Sequence, residues 1–568
     1  MNPFNRFLLC IFAFLASLTV DTSFAQPATE RSPEQLRGQI TPERAWWDLQ
    51  HYDLAVEVFP ESKTIKGQNQ IRFKVLAEAT RMQIDLQTPL EIQSITHKQQ
   101  PVKFTRQGNV YWVDFPQALP VGATEAIEIK YSGEPKEATN PPWEGGFAWK
   151  KDEQGNHFIA TACQGLGASV WWPCKDHGAD EPDQGMRIRA TVPENLKAVS
   201  NGRLVEETHS AENKTRSFQW EVKNPINNYA ISLNIGNYVH FADKFDGEDG
   251  PLDVDYWVLK GQGKRAMAHF KEVPRTLKAF EHWFGKYPFY EDSYKLIVVP
   301  YTGMEHQSAV TYGNYFANGY RGRDLSKTGV GLKFDFIIVH ESGHEWFGNS
   351  LTSIDIADMW IHESFTNYSE TLFVDYHFTK KEANDYVIGC RDLIQNDKPI
   401  IGKYNLHQKG SNSDMYYKGG SMLHMIRQIV NDDEKFRGIL RGLNKTFFHQ
   451  TITTQQVENY MSQKAGVDLS SLFDQYLRHT QIPKLVINFE GKNITYQFED
   501  CNKDLSFPVK LNVDGQATWI TPKTIKQTLE TTTDIKELSV DRNFYLRSSV
   551  NGVPTNKPKH EGTAEKVK

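Results

Sequence analysis

The chain has 568 residues, too many for one ordinary domain, and 39% hydrophobic with 24% charged content is the balance of a globular protein with several cores. Aromatic content of 12% argues against disorder. A formal net charge of −6 with no basic stripe excludes a surface built to follow a phosphate backbone, so nucleic acid is not an expected partner.

At the N-terminus, Arg6 precedes an apolar run from Phe7 to Val20, and Ser23-Phe24-Ala25 supplies small residues at a cleavage position. This predicts a signal peptide over 1–25 with Gln26 as the first mature residue; the run is short for a bilayer span, and Cys10 has no small neighbour of the lipoprotein type. The expectation is an exported protein, periplasmic or extracellular, with no membrane span after cleavage. Cys163, Cys174, Cys390 and Cys501 form no C-x-x-C pair, which argues against a thiolate metal site. Their spacing does not fix whether Cys163 and Cys174 pair.

From about residue 45 the chain reads as strands, as in Tyr52–Val58 and Asn69–Val75, both alternating with period two. The turn-rich Asp246-Gly247-Glu248-Asp249-Gly250 closes a predicted β saddle or sandwich over 26–245. Apolar residues at helical spacing follow from Arg265 to Phe284. Lys295–Val299 reads as a short buried strand. Phe334–Phe347, Ala357–Phe378, Gly420–Val430 and Thr454–Ala465 read as helices, so 246–482 is a mainly helical domain. Strands return after Pro483 in a small β domain over 483–550, followed by a polar tail over 551–568. The expected class is multidomain α+β.

The strongest chemical signal is His340-Glu341-Ser342-Gly343-His344, an H-E-x-x-H. Residues four apart on a helix share a face, so both imidazoles reach one ion. Gly343, a poor helix former, is read as a site of close packing. A second predicted helix, Trp360 to Glu370, carries Glu363, with 18 residues intervening after His344. That is enough chain for a loop and a return helix. Two imidazoles and a carboxylate with an open fourth position make a catalytic zinc set, one ion per chain.

These motifs resemble the gluzincin aminopeptidases of the aminopeptidase N family, which also contains a bifunctional leukotriene epoxide hydrolase. His340–His344 with the W-x-x-E setting of Glu363 resembles the family's metal site. Thr302-Gly303-Met304-Glu305-His306 resembles its G-x-M-E-N exopeptidase signature, and Tyr416-Tyr417-Lys418-Gly419 its Y-x-K-G. Cys163-Gln164 with Trp172-Pro173-Cys174 resembles the segment that supplies a substrate-binding glutamine. The elements occur in family order from about 45 to 480. The resemblance implies a thermolysin-like catalytic domain and a zinc-dependent aminopeptidase acting on peptides with a free N-terminus. It makes Glu341 the general base and Tyr416 the hydrogen-bond donor to the tetrahedral oxyanion, with Tyr417 a packing residue. Glu305 would hold the substrate ammonium, with Gln164, Gly303 and Met304 lining the substrate.

Thr302 stands where the family has glycine and His306 where it has asparagine; both alter the walls of the first specificity pocket. Many members also carry a large helical C-terminal domain, whereas only a short β segment and a tail follow residue 480 here, which predicts a more open cleft. Two further readings share the sequence. A zinc endopeptidase has no use for Glu305, and a catalytically weak peptide-binding protein has no use for a complete ligand set and base. Nothing independent supports epoxide hydrolysis, and the oligomeric state is not legible.

Overall fold

The computed structural model describes residues 31–407 and 412–556. The predicted signal peptide and residues 557–568 of the predicted tail lie outside them. Among the described residues no helix is long and apolar enough to cross a membrane.

Alternation along Trp47–Phe59 buries Leu49, Leu54, Val56 and Val58 on one face. Such a strand needs a partner on each edge and a cover on its apolar side. It pairs antiparallel with Thr64–Val75 and parallel with Met186–Pro193, at the centre of an eight-stranded sheet. A three-stranded and a four-stranded sheet complete the N-terminal β domain. The four-stranded sheet contains His157–Ala162, whose C-terminal end delivers Cys163-Gln164 to the second domain.

The predicted boundary at 245/246 is moved by the structure. Asp246 to Gly250 is the tip of a hairpin, with Asp246 opposite Pro251 and Gly247 opposite Gly250. Both arms, Tyr238–Gly247 and Gly250–Leu259, belong to a five-stranded sheet with Tyr294–Val298, Val310–Tyr312 and Gly303–Met304. Gly and Asp clusters mark chain reversals, and a reversal inside a sheet carries the same residues as one between domains. The sheets change over at Asn237. Gly303–Met304 is the edge strand, paired only with Val310–Tyr312 through Gly303 opposite Tyr312 and Met304 opposite Thr311.

Helices pack behind this sheet. The H-E-x-x-H helix runs from Phe336 to Gly343, shorter at both ends than predicted. Asp335 caps it, its Oδ1 accepting from the N–H of Ile337 at 2.9 Å and Ile338 at 3.2 Å. The second site helix spans Trp360–His377. A Cβ on Gly343 would lie 2.6 Å from Ser369 Oγ on that second helix, so the glycine sets the approach of the two. The helix expected from Gly420 begins at Asp414, which puts the Y-x-K-G segment in its first turns. Gly419 and Gly420 seat it against the second helix, since side chains there would collide with Ser364 and Asn367. Gly is a poor predictor of helix, which is why the sequence pattern starts late.

The C-terminal strands form five-stranded and three-stranded sheets. Strand structure continues past the expected end at 550: Val553–Asn556 folds back on Arg547–Val550 across Asn551-Gly552, with φ of 47° and 78°. Asn-Gly with positive φ at both positions is the favoured two-residue hairpin turn.

Candidate metal centre and substrate cleft

His340 and His344 lie one turn apart at the end of the first helix, and Glu363 lies in the first turn of the second. All three are buried, and their ligand atoms lie within 4.8 Å of one another. Glu363 Oε2 is 3.7 Å from His340 Nε2 and 3.4 Å from His344 Nε2. Those separations are long for hydrogen bonds. They fit two ligands at ~2.1 Å from a common ion in tetrahedral geometry, which lie ~3.4 Å apart. Glu363 Oε2 is buried with no hydrogen-bond partner, as a ligand atom awaiting a cation would be.

The far side of each ligand is secured. His340 Nδ1 meets Glu370 Oε1 at 2.7 Å, and Glu370 Oε2 accepts from Tyr386 Oη at 2.6 Å. His344 Nδ1 meets the Phe347 carbonyl at 3.0 Å and Thr366 Oγ1 at 3.1 Å. Nδ1 contacts of this kind leave both Nε2 atoms free for metal. Burial opposes charge at all three ligands. The carboxylates of Glu363 and Glu370 nevertheless raise the proton affinity of His340, and those of Glu363 and Glu305 raise that of His344. The two imidazoles in turn hold Glu363 far below the usual carboxylate range. A field that draws protons to the imidazoles draws a cation to the same point. The donor set therefore fits zinc. A second grouping, Glu305, Glu341 and His344, also lies within 4.8 Å. It shares His344 but offers one imidazole, a poorer match to zinc than two.

Glu341 follows His340 and is buried, and burial pushes its carboxyl up to about 7 against the pull of His340. A Cβ on Gly303 would lie 3.0 Å from Glu341 Oε1 and 2.6 Å from Ile337 Cγ2, so only glycine lets the edge strand pass this close. Met304 is buried, and its carbonyl accepts from Thr311 Oγ1 at 3.2 Å. Gln164 reaches in from the N-terminal domain. Its Nε2 donates to Glu305 Oε1 at 2.7 Å and to Glu363 Oε1 at 3.0 Å. Tyr416 stacks beside His340 with centroids 6.0 Å apart and interacts with Glu363. Tyr417 packs against the core beside it.

His306 is fully buried, and neither ring nitrogen has a partner among the described residues; burial drives its pKa down to about 3. Thr302 is buried too, and its carbonyl accepts from Gly313 N at 2.8 Å. The four cysteines among the described residues are free thiols.

Sequence patterns missed several groups. Glu370 lies seven residues after Glu363, two helical turns on the same face, so spacing alone pointed to it. Tyr229, from a short 3-10 turn of the N-terminal domain, contacts His362 Nδ1 at 3.4 Å and interacts with Glu305. No local pattern marks it. Asn349 Nδ2 donates to the Glu305 carbonyl at 2.8 Å, and Glu345 Oε1 accepts from Ser308 N at 2.9 Å, tying the Glu305 loop to the end of the metal helix.

A three-ligand metal set on two helices below an open sheet edge defines the class: an α+β metallopeptidase fold behind a β-rich N-terminal domain. Residues 49–230 match the Peptidase M1 N-terminal domain and residues 268–476 the Peptidase family M1 domain. The chain belongs to peptidase family M1, the aminopeptidase N family of gluzincins. It is similar to the leucyl aminopeptidase of Saccharolobus solfataricus, 22% identical over 428 residues, 71% of this chain and 53% of the relative. It is also similar to human endoplasmic reticulum aminopeptidase 1, 21% identical over 540 residues, 85% of this chain and 56% of the relative. The chain thus spans about half the length of these curated relatives. The crystal structure of the M1 zinc metallopeptidase from Deinococcus radiodurans superposes with a TM-score of 0.66 at 20% identity, covering 78% of this chain and 96% of that one.

Proposed function

We propose that the protein is a zinc aminopeptidase that removes single residues from the N-terminus of peptides. One observation carries this reading: Gln164 bridges Glu305 to Glu363, and a Glu305 carboxylate oxygen lies within 4.8 Å of a His344 ligand nitrogen. An ammonium group held at Glu305 leaves room for one residue before the metal, so the first peptide bond is the one presented. An endopeptidase would need that space for the preceding chain.

His340, His344 and Glu363 would hold the zinc, which when bound supplies a Lewis acid that activates water and draws charge from a carbonyl oxygen. Glu341 takes the proton from the attacking water and returns it to the leaving amine, a role suited to a carboxylate raised to about 7. Tyr416 donates a hydrogen bond to the tetrahedral oxyanion, and burial with nearby carboxylates keeps its hydroxyl protonated. Glu305 and Gln164 fix the ammonium, while the free edge of Gly303–Met304 pairs with the extended peptide. The apolar run before Ala25 is read as an export signal, and sequencing the mature N-terminus tests that: it should begin at Gln26.

A panel of amino-acid anilides, each with and without an N-acetyl group, tests the activity. Free-amine anilides should be cleaved, a chelator should abolish cleavage, and zinc should restore it. Cleavage of the acetylated set at comparable rates would favour the endopeptidase.

A further inference from the structure

We infer that the Tyr320–Arg323 hairpin forms the leaving-group side of the cleft and that the Arg323 guanidinium binds a carboxylate carried by the peptide beyond the scissile bond. The inference rests on the aminopeptidase reading, which sets the direction in which substrate lies.

With the ammonium at Glu305, the peptide runs back along the edge strand towards Thr302. A strand advances ~3.3 Å per residue, so three residues carry it ~10 Å, past the scissile bond to the leaving group. Thr302 therefore flanks the leaving group. The Tyr320 hydroxyl lies against the Thr302 hydroxyl and feels the Glu341 carboxylate. Its ring stands edge-on to Phe336 with centroids 5.4 Å apart, and Phe336 stacks on His340 at 5.2 Å. Tyr320 is thus two rings from a metal ligand, on the Thr302 side. The departure from glycine at position 302 has a structural partner in this tyrosine.

Arg323 follows from the pairing. Tyr320 and Arg323 are opposed residues of an antiparallel bridge, Tyr320 N donating to Arg323 O at 2.9 Å and Arg323 N to Tyr320 O at 3.1 Å. Directly opposed residues of such a pair project to the same face. Tyr320 and Arg323 therefore share the face that meets Thr302 and Phe336. The turn between them, Arg321-Gly322, has φ of 52° and 80°, as a two-residue hairpin requires. Its base is fixed to the segment that leads into the metal helix, because Gly319 N donates to the Phe334 carbonyl at 2.7 Å, two residues before the helix begins.

The two arginines of the hairpin differ. Arg321 donates to the Tyr315 hydroxyl at 3.3 Å and lies over its ring at 5.5 Å. The Arg323 side chain is exposed and has no hydrogen-bond, ion-pair or ring partner among the described residues. An unpaired surface arginine is ordinary; one held on the face of a residue that touches the cleft is placed to meet substrate. Its fork matches a carboxylate bidentately. The carboxylate comes from one of two sources, the C-terminus of a short peptide or an Asp/Glu side chain after the first residue.

An exposed ion pair contributes at most ~1 kcal/mol, so the selectivity should be about fivefold in kcat/KM at low salt and vanish near ~1 M salt. The test uses one N-terminal residue followed by alanine with a free C-terminus, alanine amide, or glutamate amide. Wild-type protein should prefer the free acid, the glutamate amide, or both over alanine amide, and which one identifies the source. Arg323→Ala should erase the ratio, and Arg323→Glu should bring it below one. A wild-type ratio of one, or a ratio that both variants leave unchanged, overturns the inference. If no peptide is cleaved by any form, the aminopeptidase reading fails. Calorimetric binding of the same peptides to the wild type and Arg323→Glu then judges Arg323 alone: a carboxylate preference lost on charge reversal supports it, and equal binding overturns it.

Discussion

The two ends of the cleft are built on opposite principles. On the proposed amine side, Glu305 is buried and bonded to Gln164 from the other domain, and its loop is tied to the metal helix through Asn349 and Glu345. On the leaving-group side, a hairpin tied at its base carries an arginine out into water. Buried, oriented groups act in a low dielectric and leave large penalties when mismatched, whereas exposed charges are screened. The amine should therefore be read steeply and the far carboxylate shallowly.

The sharpest way to break this contrast is at the base. Glu341→Gln should lower kcat by ~10³ while zinc content, measured by metal analysis, stays at one per chain. Retained turnover would place the proton transfer elsewhere. The next effect concerns what lies behind the metal. Glu370→Ala removes the partner of His340 Nδ1 and should weaken zinc affinity by about 10–100-fold, read by competition with a chelator. Unchanged affinity would mean that the buried end is less preorganised than its bonding indicates.

A smaller effect tests the burial of the amine-side loop. His306 is neutral in the fold, with a pKa of about 3 against an ordinary 6.5. The unfolded chain binds a proton more readily, so this residue's contribution to stability is intact above about pH 6.5 and is lost as pH falls towards 3, by up to ~1.4 kcal/mol per pH unit. His306→Asn should therefore lose less stability than the wild type between pH 7 and pH 5 in denaturant titrations. Parallel loss in both proteins would show that His306 titrates normally.

How much of this was legible in the sequence follows from what each feature depends on. The grouping of His340, His344 and Glu363 was readable because the H-E-x-x-H spacing puts both imidazoles on one helix face and the return helix carries Glu363. The β-helix-β order was readable from period changes. The boundary at 245 was not, because the turn signal at Asp246–Gly250 is the same whether the chain leaves a domain or reverses within a sheet. The hairpin at Asn551-Gly552 is marked by its dipeptide, but its polar neighbours carry no strand alternation. Gln164 beside Glu305 emerges only when two domains meet, across 141 residues of chain. Tyr229 and the Tyr320–Arg323 pair have no local pattern, since each acquires its position from tertiary contact.

Everything proposed for the cleft turns on Glu305 reading the amine. The direct measurement is kcat/KM for one peptide with a free and an N-acetylated terminus, in wild type and Glu305→Ala, at matched zinc content. Discrimination in the wild type should be at least ~100-fold, the scale of a buried charged hydrogen bond left unpaired, and should collapse in the variant through loss on the free-amine peptide. Equal cleavage of both peptides by the wild type, or discrimination that survives the substitution, would contradict the account.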